Sequence, residues 1–186
     1  MKDNKGFSLL ELIIIIAILG VLITFGLSKS QVIFSYNAQE AYKKTMSAIS
    51  AGKVQALSKS KLTTSSISVK ESISSHGDEM VYIVFYKKGN SIYTKTYVCG
   101  EAIVPDGEKI GGKGVELSYI LDGGATVTVG EGESNGLMLS FDRSTGGFLP
   151  SESNKYVREI HVSGGTREYV ITLLPKTGKV VKMGKL

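Results

Sequence analysis

The chain has 186 residues, 42% of them hydrophobic, enough for one soluble domain beyond a membrane segment. A single cysteine, Cys99, excludes an intramolecular disulfide, and a net charge of +5 is too modest to name a partner. The distribution of charge says more: residues 29–62 carry six basic and one acidic side chain, 63–154 seven and twelve, and 155–186 seven and two, so the balance changes sign twice.

The first predicted element is the run 7–27, whose only charge is Glu11. At about 1.5 Å per residue it makes a helix roughly as long as a bilayer's hydrocarbon core is thick. A cleavable signal peptide has an apolar core of about 7–15 residues followed by a small-x-small site. Here the run is longer, and Gly26-Leu27-Ser28 is the only passable site. A plain signal anchor fits the length, but anchoring does not require a carboxylate whose burial in lipid costs a few kcal/mol. Glu11 is either an interfacial acid that snorkels or a functional one.

The string Lys5-Gly6-Phe7-Ser8-Leu9-Leu10-Glu11 resembles the class III leader of type IV prepilins and pseudopilins: a short charged leader ending in glycine, then phenylalanine, with glutamate fifth after that glycine, then an unbroken apolar helix. The resemblance implies that a prepilin peptidase cuts between Gly6 and Phe7 and methylates the new amine on Phe7. It also implies that Glu11 meets the N-terminal amine of a neighbouring subunit during assembly. An ammonium and a carboxylate in an apolar bundle each need a partner, which agrees with that role. Gly20 and Gly26 lie in the same helix, where the family's helices often loosen; the alternative is that they allow close helix contacts.

The helix is expected to continue through 28–60, which lack proline. Phe34, Ala38, Ala41, Tyr42, Met46, Ile49, Ala56 and Leu57 form one apolar stripe there, with Lys43, Lys44 and Lys53 free to face water and Gly52 marking a bend. From Lys61 onward β-branched and aromatic residues gather in short runs between glycines. Strands are predicted at 66–70, 80–87, 91–99, 115–121, 125–129 and 137–142. Two linked hairpins close the chain: 157–163 with 167–174 through Gly164-Gly165, then 179–183. The fold class is α+β, a long N-terminal helix, transmembrane in its first half and amphipathic in its second, packed on a C-terminal antiparallel β domain. Its parts are a leader at 1–6, the membrane helix at 7–27, its continuation at 28–60 and a β-rich domain at 61–186.

This is the pilin layout. The run Leu137-Met138-Leu139-Ser140-Phe141-Asp142, the turn Gly146-Gly147, the strands around Glu159-Ile160-His161-Val162 and Tyr169-Val170-Ile171-Thr172-Leu173, and the closing Thr177-Gly178-Lys179-Val180 resemble the minor pseudopilins of the H type and their minor-pilin relatives. Relatives often have arginine where Lys179 stands.

Letters that spell chemistry elsewhere lack their context here. Gly107-Glu108-Lys109-Ile110-Gly111-Gly112-Lys113-Gly114 approaches a phosphate-binding loop, but it ends in glycine and precedes a predicted strand rather than a helix. Gly132-Glu133-Ser134-Asn135-Gly136 matches a nucleophile elbow in letters, yet a strand follows it too. His76, His161 and Cys99 supply no metal-ligand spacing, and His161 alternates with Ile160 and Val162 as an outward strand residue. No catalytic residue, cofactor or metal is called for.

The resulting expectation is a minor pilin or pseudopilin of a type IV pilus or type II secretion-like filament, held in the cytoplasmic membrane with its C-terminal domain outside. Its implied partners are the prepilin peptidase, other pilin subunits, an inner-membrane assembly platform and membrane lipid. A second reading is a DNA-binding minor pilin that neutralises nucleic-acid phosphates through Arg158, Arg167, Lys176, Lys179, Lys182 and Lys185. The alternative is that these lysines keep an edge strand from pairing with its neighbours, or meet the acidic middle segment of the next subunit. The third is an ordinary signal-anchored β protein.

Overall fold

The structure, a computed structural model, describes residues 9–61, 68–152 and 154–183, with the backbone alone for 25–30, 182 and 183. Helix α1, Leu9–Lys59, is one unbroken element of 51 residues and therefore roughly 75 Å long. Its end at Lys59 lies one residue short of the expected 60, and residues 7 and 8 of the expected helix lie outside the described residues. It also runs through Gly20, Gly26 and Gly52 without interruption.

Ten strands follow a short second helix. They are β1 Val81–Lys88, β2 Ser91–Val98, β3 Glu101–Ala102, β4 Glu108–Gly111, β5 Val115–Leu121, β6 Thr126–Thr128, β7 Leu137–Ser140, β8 Val157–Gly164, β9 Arg167–Leu174 and β10 Lys179–Met183. The first sheet has the order β3-β2-β1-β7, with β4 also on β2; the second runs β10-β9-β8-β5-β6. Every pairing between these strands is antiparallel. Burial alternates along β2: Ile92 and Thr94 are buried, while Tyr93, Lys95 and Tyr97 stand on the other face, where Tyr97 stacks on Tyr82.

Both sheets turn their apolar faces to the second half of α1. Ala41, Ile49 and Ala56 share one core with Ile83 and Phe85 of the first sheet and Leu117, Ile160 and Ile171 of the second. The buried positions of the helix are Ser35, Ala38, Ala41, Thr45, Ile49, Gly52 and Ala56, spaced by three and four. Most are small, so the helix axis lies close to the strands. Gly52 is therefore a contact and not the expected bend: a β-carbon there would lie 2.2 Å from Ile83 Cδ1. Leu57, counted in the predicted stripe, is exposed, because the stripe turns past it.

The expected strand at 66–70 is corrected where it is described. Val69–His76 is helix α2. Ser68 and Glu71 have the spacing of a capping box, though the Ser68 hydroxyl donates to Glu71 Oε2 at 2.7 Å rather than accepting from a backbone amide. The first amides of the helix find distant acceptors instead, Val69 N–H on Pro150 O at 2.7 Å and Lys70 N–H on Ser151 O at 3.4 Å. The glycine-rich 107–114 stretch holds β4 and the turn into β5, so no helix N-terminus is there to receive a phosphate.

Candidate assembly surface

The second half of α1 is fastened at three heights. Near its start the β8–β9 turn closes on it: Thr166 N–H donates to Ser35 Oγ at 3.4 Å, and a β-carbon on Gly165, whose φ is +63°, would lie 2.5 Å from Gln31 O. Midway Lys44 Nζ reaches Lys109 O at 3.3 Å and pairs with Glu40 at 3.0 Å, while Tyr42 stacks on Tyr169. Further on Lys53 Nζ donates to Thr177 O and Gly178 O at 2.9 and 3.1 Å, in the turn before β10. Lys44 and Lys53, expected to face water, bind backbone carbonyls of β4 and of the β9–β10 turn because their aliphatic stems run along the domain.

The first half presents a different surface. From Leu9 to Ile23 the large aliphatic side chains are all 41–78% exposed. They cover every side of the helix, and Glu11, in the first turn, is the only charged residue among them. A helix that is apolar all round has to be covered by lipid or by other helices. Among the described residues no helix is long and apolar enough to cross a membrane. Gly6 and Phe7, the expected cleavage and methylation positions, lie outside the described residues.

Among the described basic residues at the end of the chain, Arg167 stands apart from Arg158, Lys176 and Lys179. Arg158 is engaged by Asp122. Lys176 and Lys179 are exposed at the β9–β10 turn, whereas Arg167 begins β9 at its opposite end, roughly 20–25 Å away at strand rise, beside Gln31 and Tyr36 of α1. Lys182 pairs through its backbone with Ile171, and Lys185 lies outside the described residues. Ser134 is exposed in a single turn of 3-10 helix, Glu133–Asn135. His161 faces outward as expected, its Nδ1 2.7 Å from Glu168 and its Nε2 3.1 Å from Glu159. Among the described residues no group of histidine, cysteine and acids is arranged to hold a metal.

Sequence reasoning missed Asp142. It is buried at the end of the first sheet, and its Oδ1 accepts from the backbone N–H groups of Ser144 and Thr145, both at 2.8 Å, and from their hydroxyls at 2.6 and 3.0 Å. Burial pushes the carboxyl up, but the hydroxyl and backbone donors of Ser144 and Thr145 outweigh it and hold Asp142 below the usual carboxylate range. The signal was present as an aspartate with serine and threonine two and three residues on, the spacing of a side-chain-capped turn.

Residues 1–27 match the family model described as the prokaryotic N-terminal methylation motif. That match supports a type IV pilin-like protein. No curated protein and no solved structure matches the chain. The helix followed by antiparallel sheets is consistent with a pilin-like fold. Pilin-like proteins with this motif are structural rather than enzymatic, and its class III leader implies processing by a prepilin peptidase and assembly with other pilins.

Proposed function

We propose that the chain is a minor pilin or pseudopilin, a structural subunit of a type IV pilus or type II secretion-like filament. It is cut between Gly6 and Phe7, methylated on Phe7 and held in the cytoplasmic membrane by residues 7–27, with the β domain outside the cytoplasm. An assembly platform in that membrane then draws it into the filament. The observation that carries this reading is the division of α1, one half fastened to the domain and the other apolar on every side with a single acid. Lipid covers that half before assembly, and the helices of neighbouring subunits cover it afterwards. Glu11 then meets the Phe7 ammonium of a neighbour, and the pairing sets the register of each incoming subunit.

The mature N-terminus tests this directly. Mass spectrometry of protein from cells with an active prepilin peptidase is expected to give a chain beginning at methylated Phe7, and cells lacking the peptidase to retain residues 1–6. Glu11→Gln is expected to be processed normally and to remain in the membrane without entering filaments. A chain beginning after Ser28, or one that keeps residues 1–6 in both strains, would sink the proposal.

A further inference from the structure

The 142–148 loop, the β9–β10 turn and the start of β8 enclose an open cavity of about 550 Å³. Tyr156, Leu174 and Pro175 give it an apolar side, and Arg158 and Lys176 also line it. Asp142 forms part of the wall and is only 7% exposed. All four of its side-chain hydrogen bonds fall on Oδ1. Among the described residues Oδ2 accepts none, and no lysine or arginine stands within 4.0 Å of the carboxylate. The nearby cations are otherwise engaged or turned to water: Arg158 holds Asp122, Lys53 holds two carbonyls, and Lys176 is exposed.

A carboxylate kept ionised by dipoles alone, on the wall of a half-apolar cavity, retains an unmet attraction for a cation. We propose that this cavity is a socket for a lysine side chain of a second copy of the chain, its ammonium on Asp142 Oδ2 and its aliphatic stem along Tyr156, Leu174 and Pro175. One open acceptor oxygen suits a compact ammonium, whereas a guanidinium makes its best contact with two parallel acceptors. The chain presents suitable donors: Lys43, Lys59, Lys109 and Lys113 are exposed and in no ion pair among the described residues. The inference rests on the filament reading above, because it needs a second copy held at short range.

Zero-length carbodiimide crosslinking of filaments assembled from equal amounts of ¹⁴N- and ¹⁵N-labelled full-length subunits tests it. The expected product joins Asp142 to a lysine, with both isotopes in one crosslinked peptide pair. Asp142→Asn keeps an oxygen for the same four donors, so it is expected to assemble and to lose that product; if it does not fold, the wild-type product alone decides. Assembled filaments in which Asp142 is joined only to Lys53 or Lys176 of its own copy, or to nothing, overturn the socket and leave the filament reading standing. Failure of the copies to associate at all overturns both.

Discussion

The two halves of α1 are one continuous helix with opposite surroundings. Where the helix meets the sheets its buried side is built from Ser35, Ala38, Ala41, Thr45, Gly52 and Ala56, with Ile49 the only large side chain. Where it leaves the domain, leucine and isoleucine occupy nearly every position and all are exposed. Helix formation alone therefore does not distinguish the halves. The difference lies in what each meets: a sheet already supplies large side chains such as Ile83, Phe85 and Ile171, and small helix residues let the backbones approach them. A surrounding of lipid or other helices supplies no such fixed wall, and bulk on every side is tolerated.

Substitutions in the two halves sharpen that contrast. Ile49→Ala is expected to have the largest effect, lowering the unfolding free energy of the full chain in detergent by about 2–5 kcal/mol through the cavity it leaves. Gly52→Val comes next, at about 1–3 kcal/mol, because its side chain must displace Ile83 against the strand. Ile14→Ala is the smallest, within about 0.5 kcal/mol for the β domain in the same denaturation experiment. A loss comparable to that of Ile49→Ala would show that the first half also packs on the domain and would end the comparison.

The β domain that anchors the second half also lends itself to titration. Burial raises Tyr119 to about 12, and burial, with Tyr97 and Glu133 adding to it, raises Tyr82 to about 12. A raised folded value means that the neutral phenol is favoured by folding, so its contribution is complete below the ordinary value of 10.0 and is lost as pH rises toward about 12. Thermal melts over that range are expected to fall more steeply for the wild type than for Tyr119→Phe. Asp142 works at the other end of the scale. Its lowered value stabilises the fold above the ordinary 3.8, and acid removes that contribution as pH falls through the folded value. Asp142→Asn is expected to flatten the acid limb of the stability curve, and an unchanged limb would mean that the four donors do not favour the charged form.

Much of this architecture was legible in local pattern. Ala38, Ala41, Ile49 and Ala56, at steps of three, eight and seven residues that are close to multiples of helical turns, marked the face of α1 that packs, and Gly164-Gly165 marked the turn of the closing hairpin. Three features were not legible. Helix α2 draws two of its backbone acceptors from Pro150 and Ser151, about eighty residues away in sequence. Gly52 reads as a break until Ile83 is seen against it. Arg158, Arg167, Lys176 and Lys179 look like one basic cluster in one dimension, but strand rise carries Arg167 to the far end of the hairpin.

The sequence by itself determined the apolar N-terminal run with its single acid, the leader match, the long first helix and most of the strands after it, because these depend on neighbours a few residues apart. Tertiary structure alone decided which lysines hold backbone carbonyls of the β domain, that Gly52 is a contact, and that Asp142 stands on a cavity wall with one oxygen saturated and one open. Each of these depends on groups that the chain brings together only after its two sheets have closed on the helix.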